Sequence, residues 1–139
     1  MAGRILVAED EAILALSLAD LLEAEGYDVT LAFDGEEALE RAMAGTAAAE
    51  TGRRYDALLT DLNMPRSSGE DLIRTLRARR PDLPVVVVTG SPPIGGAAEL
   101  RRHGGGHGPL ALLQKPVDSS QLFEALSRVR TPPWTAAAD

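Results

Sequence analysis

Residues 85 to 88 are four consecutive valines, preceded by Leu83 and Pro84 and followed by Thr89 and a glycine. A branched Cβ is crowded in a helix and suits the pleated surface of a strand. Successive side chains along a strand point to opposite faces, so an unbroken apolar run needs cover on both. The predicted strand 83–89 therefore belongs inside a sheet with a layer of structure on each side.

Four more short runs behave similarly: Ile5 to Ala8, Asp28 to Ala32, Ala57 to Leu59, and Leu110 to Leu113. Helical spacing separates them. Leu14, Leu18, Leu21 and Leu22 recur at three- and four-residue steps up to Gly26, which predicts an amphipathic helix. Asp34 with Glu37, and Asp118 with Gln121, are capping signatures that open the helices carrying Ala38, Leu39, Ala42 and Met43, and Leu122, Phe123, Leu126 and Val129. Residues 45–54 either extend the first of these helices or form a loop. Ser67-Ser68-Gly69 starts a helix through Leu72, Ile73 and Leu76, stopped by Pro81, with Arg74, Arg77, Arg79 and Arg80 predicted to form a solvated, basic end. Between residues 90 and 109 glycine and proline allow only a short helix, Ala97 to His103. His103 and His107 have an i,i+4 spacing, but three glycines between them argue against a metal pair. The alternation of five strands and five helices predicts a parallel sheet with helices on both faces.

Composition narrows the function. A chain of 139 residues with 45% apolar and 25% charged residues suits one globular domain. A net charge of −7 opposes broad contact with nucleic acid or an anionic membrane, and 4% aromatic residues supply few stacking platforms. The absence of cysteine excludes disulfides, thiolate metal sites and thiol catalysis. No secretory-type leader opens the sequence and no run reaches membrane-spanning length, so a cytoplasmic protein is expected.

The residues with chemistry cluster at strand ends: Glu9-Asp10-Glu11 after the first, Asp61 after the third, Thr89 after the fourth and Lys115 after the fifth. In a doubly wound parallel sheet these ends share one edge, so side chains far apart in sequence converge. Acidic groups brought together need a cation, and oxygen donors without thiolate suit a hard ion such as Mg2+. A hydroxyl and an ammonium beside Asp61 would serve an anion forming there, which is the equipment of phosphoryl transfer.

In sum, Ile5-Leu6-Val7-Ala8-Glu9-Asp10-Glu11, Asp61-Leu62-Asn63-Met64-Pro65, Val88-Thr89 and Lys115-Pro116 closely resemble the four signatures of two-component response regulator receiver domains, in the family's order, over roughly residues 4 to 130. The resemblance implies a flavodoxin-like (βα)5 fold with strand order 2-1-3-4-5: a receiver domain over 1–130 and a C-terminal tail over 131–139. It implies that Asp61 accepts a phosphoryl group from a histidine kinase or histidine phosphotransfer protein, in a reaction assisted by Thr89 and Lys115. Asp10, Asp61 and the backbone carbonyl of Asn63 would ligate Mg2+, with Glu9 helping directly or through water. The matching Lys-Pro bond of the family is usually cis, which implies the same for Lys115-Pro116. Such a chain is not an enzyme beyond Mg-dependent self-phosphorylation and self-dephosphorylation. It would act on a downstream protein, without contacting nucleic acid or membrane, as a monomer or weak dimer, either alone or as the receiver of a hybrid kinase.

Two features depart from the family. An aromatic residue is usual where Leu112 stands, and the segment before it is unusually rich in glycine and proline. The expectation is that residues 91–109 change order on phosphorylation in place of an aromatic rotamer switch. The alternative is a receiver-like interaction module that works without phosphorylation. A haloacid-dehalogenase-type phosphatase would need an acid where Asn63 stands, and a flavodoxin-like cofactor binder would need a phosphate loop where Glu9-Asp10-Glu11 stands. Trp134, in the Pro-rich tail, is either a docking anchor or folded back on the protein.

Overall fold

The computed structural model describes residues 3–47, 55–102 and 108–130. In chain order it contains β1 (Gly3–Ala8), α1 (Ala12–Ala24), β2 (Tyr27–Ala32), α2 (Gly35–Ala47), β3 (Ala57–Thr60), α3 (Gly69–Arg79), β4 (Val85–Thr89), α4 (Gly96–Leu100), β5 (Leu110–Gln114) and α5 (Ser119–Arg130). The strands form one parallel sheet in the order β2-β1-β3-β4-β5. This is the expected flavodoxin-like arrangement.

The alternation of strand side chains divides the core into two layers. Leu6, Leu58, Val85 and Val87 face α2, α3 and α4, packing with Ala38, Leu72, Ile73 and Leu100. Ile5, Val7, Leu59, Val86 and Val88 face α1 and α5, packing with Leu18, Leu22, Leu122 and Leu126. The four valines thus divide evenly between the layers, which is why no polar residue is tolerated among them. Each buried aliphatic side chain contributes roughly 1.5–3 kcal/mol, so the central strands anchor the fold.

Helix ends follow the capping signatures. Asp118 Oδ1 accepts from Gln121 N at 2.8 Å, and Gln121 Oε1 accepts from Asp118 N at 3.1 Å. Asp34 Oδ1 accepts from Glu37 N at 2.7 Å, while the Glu37 carboxylate reaches one residue further back, to Phe33 N. Ser68 caps α3 through Asp71 N, and Gly26 leaves α1 at a positive φ of 93°. The undecided stretch after Met43 is helical as far as Ala47. The short helix anticipated over 97–103 is α4, from Gly96 to Leu100. His103, His107, residues 48–54 and the tail with Trp134 lie outside the described residues.

One expectation is overturned. Arg77 is not part of a solvated helix end: it is buried, and its guanidinium donates to the carbonyls of Leu83 (2.9 Å) and Pro109. Burial, reinforced by the neighbouring charge of Arg101 and opposed by Asp82, lowers its pKa to about 10. The reason is geometric: the chain entering β4 and the chain entering β5 both pass beside the last turn of α3. Arg77 reaches Leu83 O there and adds a second bond at Pro109 O, which also accepts from Val85 N at 3.1 Å. Gly108 leaves the room, because a Cβ there would stand 2.8 Å from Arg77 Cζ and 2.4 Å from Pro81 O. Arg80 likewise turns inward, donating to Tyr55 O, whereas Arg74 and Arg79 are exposed as expected.

Candidate functional site

The strand order reverses between β1 and β3, since β2 lies on one side of β1 and the later strands on the other. In an open α/β sheet the crevice past such a reversal is where ligands bind. Here the residues just beyond β1 and β3 are Glu9, Asp10 and Asp61. Backbone bonds continue the ladders past the strands and fix each one: Glu9 N donates to Ala32 O, Asp61 N to Ala8 O and Lys115 N to Thr89 O, all at 2.9–3.0 Å.

Helix α3 starts directly against the acid. Gly69 N donates to Leu62 O at 2.9 Å, and a Cβ at Gly69 would lie 2.1 Å from Asp61 O. Only glycine lets the helix begin that close. The loop between them turns at Arg66, whose φ of 71° is left-handed and whose guanidinium pairs with Asp34 at 3.9 Å.

Glu9, Asp10 and Asp61 each present a carboxylate oxygen within 4.8 Å of the others. Glu9 and Asp61 are buried and Asp10 is exposed. Asp61 Oδ1 accepts from Leu62 N at 2.6 Å and from Asn63 N at 3.3 Å, while Oδ2 accepts from Lys115 Nζ at 2.9 Å. Lys115 Nζ also lies 2.9 Å from Glu9 Oε1 and 3.4 Å from Glu11 Oε1. Its bond to Pro116 is cis. Burial alone would lower the Lys115 pKa, but hydrogen bonds and charge from Asp61 and Glu9 raise it above the ordinary lysine value. For Glu9 burial dominates: its carboxyl is raised, aided by the Asp61 charge and only partly offset by Glu11 N and Lys115. The site thus holds more negative charge than its one ammonium balances.

Thr89, fully buried at the end of β4, accepts from Ser91 N through its hydroxyl at 3.2 Å. It sits on the same sheet edge, in register with Gln114. Asn63 is exposed in the loop after Asp61. Glu9, Asp10 and Asp61 are therefore clustered, Lys115 contacts Glu9 and Asp61, and Thr89 ends β4 and Asn63 follows β3 at the same sheet edge. Glu11, absent from the sequence-derived set, is a third carboxylate on Lys115. Its signal was its place in the acidic run. Leu112, where an aromatic residue was expected, is half-buried and faces Gly96 at the start of α4.

Comparison with known proteins agrees with this geometry. The family model described as "Response regulator receiver domain" matches residues 5–127. The transcriptional regulatory protein PdtaR of Mycobacterium tuberculosis is 33% identical over 124 residues, covering 88% of this chain and 54% of that protein. This chain thus spans about half the length of that relative. A receiver domain protein from Clostridium thermocellum superposes with a TM-score of 0.74 at 27% identity, covering 92% of this chain and 94% of that one. A receiver protein from Sinorhizobium medicae gives 0.74 at 30% identity over 93% and 94%. With a two-layered 2-1-3-4-5 sheet and an acidic crevice at its reversal, the chain belongs to the response regulator receiver domains of two-component systems.

Proposed function

We propose that Asp61 is the phosphoacceptor, taking a phosphoryl group from the histidine of a kinase or phosphotransfer protein. The observation that carries this is Lys115 Nζ at 2.9 Å from both Asp61 and Glu9, inside a cluster of three carboxylates. An Asp61 oxygen attacks phosphorus as the P–N bond to the donor imidazole breaks; the electron pair stays on that nitrogen, which takes a proton. Lys115 and the Thr89 hydroxyl then hold the new phosphoryl oxygens. The donor set fits Mg2+, being oxygen only and compact enough for a small ion. Asp10, Asp61 and the Asn63 carbonyl would hold it, with Glu9 assisting, and when bound it supplies the charge neutralisation that lets an acid accept a further anion.

The test is incubation of the chain with acetyl phosphate in Mg2+ or in chelator, followed by intact mass. One added phosphoryl group in Mg2+ and none in chelator is the expected result. A wild type inert under both conditions, and unresponsive to beryllofluoride, favours the phosphorylation-independent module that Leu112 suggests. The functional unit is residues 1–130, with 131–139 a tail. It would work in the cytoplasm as a monomer or weak dimer, contacting a downstream protein and neither nucleic acid nor membrane. Among the described residues no helix is long and apolar enough to cross a membrane.

Removing one acid should raise stability without metal and blunt the response to it. Without divalent ions Asp10→Asn relieves like-charge repulsion and should raise stability by about 1 kcal/mol, the size of such a pair near water. Mg2+ at tenfold its Kd should add about 1.4 kcal/mol to the wild type and under a third of that to the variant. Thermal melts with chelator and with Mg2+ check this; equal gains in both proteins would exclude Asp10 as a ligand.

Output would pass through residues 91–109. Ser91 N is bonded to the Thr89 hydroxyl, so a hydroxyl drawn to a phosphoryl oxygen pulls on the start of this segment. Hydrogen exchange should show altered protection over residues 91–102 with beryllofluoride; identical protection in both states would refute it.

A further inference from the structure

An ammonium carries three N–H donors, and in the resting site Lys115 faces three carboxylates. Two contacts, to Glu9 and Asp61, are at 2.9 Å with buried partners; the third, to Glu11, is at 3.4 Å with a side chain 67% exposed. The donor set is therefore full before any phosphoryl oxygen arrives. Glu11 lies outside the three acids that converge as a cation site, and its backbone N is tied to Glu9 Oε2 at 3.0 Å, which keeps it beside the lysine. An exposed, long ion pair is the weakest of the three and the easiest to exchange.

Resting on the assignment of Asp61 as phosphoacceptor, we propose that Glu11 is a positioning and specificity-determining residue. It occupies the third donor of Lys115 in the resting site and yields it to an incoming phosphoryl oxygen. Two consequences follow. Weak anions do not displace Glu11, so Lys115 stays reserved for a strongly charged ligand. Once the O–P bond to Asp61 forms, with the donor's bond to phosphorus broken and its electron pair on the leaving group, the freed Glu11 faces solvent without loss of burial.

The full chain at saturating Mg2+ provides the test, comparing wild type with Glu11→Gln and Glu11→Asp. Two quantities are read: the second-order rate of adduct formation from acetyl phosphate, and the Kd for beryllofluoride by calorimetric titration. In that transfer the acetyl P–O bond breaks and acetate leaves with the electron pair. Glu11→Gln should raise the rate and tighten beryllofluoride about threefold, the scale of an exposed ion pair. Aspartate keeps the charge but is one methylene too short to hold Nζ, so Glu11→Asp should resemble Glu11→Gln rather than wild type. If Glu11→Asp matches wild type while Glu11→Gln gains, the effect is one of diffuse charge and the exchange is overturned. Unchanged or weakened binding in both variants overturns it too. A wild type that takes up neither phosphoryl group nor beryllofluoride removes the phosphoacceptor assignment, and the exchange with it.

Discussion

Asp61→Asn is expected to abolish phosphoryl uptake, lowering adduct formation at least about 100-fold, because an amide oxygen lacks the charge and the nucleophilicity of a carboxylate. The surroundings make the amide a poor guest as well as a poor nucleophile. Oδ1 accepts from two backbone N–H groups and Oδ2 accepts from Lys115, so every contact reaching this side chain is a donor. Whichever way the asparagine is turned, its NH2 faces a donor. The fold should survive: the loss of one ion pair is countered by relief of repulsion from Glu9 and Asp10. Circular dichroism and a melting temperature close to wild type in chelator would establish that. Intact mass after acetyl phosphate then reads the chemistry alone. An adduct on Asp61→Asn equal to that on wild type would move the acceptor elsewhere in the cluster and sink the assignment.

The residues of this cluster were legible because they sit at positions the backbone dictates. A parallel sheet carries the carboxyl ends of its strands to one edge, so Glu9, Asp10, Asp61 and Lys115 had to approach one another once the five apolar runs were seen. The helix starts at Asp34, Ser68 and Asp118 were legible too, since a capping side chain bonds to backbone three residues away. What stayed hidden depends on contacts between elements distant in sequence. That Glu11 reaches Lys115 is decided 104 residues apart, by where α1 begins relative to the end of β5. The left-handed turn at Arg66 has no signal either, as arginine has no preference for positive φ.

Arg77 is the clearest case of a tertiary demand overriding a local reading, and its removal should be the most damaging substitution for stability. In the last turn of α3 an arginine complements the helix dipole, which is a sufficient reason for its presence and for expecting it in water. Instead its Nη2 donates to two carbonyls, Leu83 O before β4 and Pro109 O before β5. Arg77→Ala leaves Leu83 O without that donor, at about 1–3 kcal/mol, leaves Pro109 O with Val85 N, and removes the guanidinium that packs over Gly108. A net loss of about 2 kcal/mol is expected, lowering the melting temperature by about 7 °C for a chain of this size. Arg77→Lys should recover less than half: an ammonium has donors enough for both carbonyls, but it is shorter in reach and more strongly hydrated than a guanidinium, so it is the costlier group to bury there. The pH dependence has a defined sign. The folded-state pKa, about 10, lies below the ordinary arginine value, so the protonated form bears a burial cost that is constant below pH 10 and relieved only above it. The gap between wild type and Arg77→Ala should therefore be the same at pH 6 and pH 8 (about neutral). A gap that changes across that range, or a loss under about 1 kcal/mol, would mean that the two strand entries find other donors and that Arg77 is not what joins them.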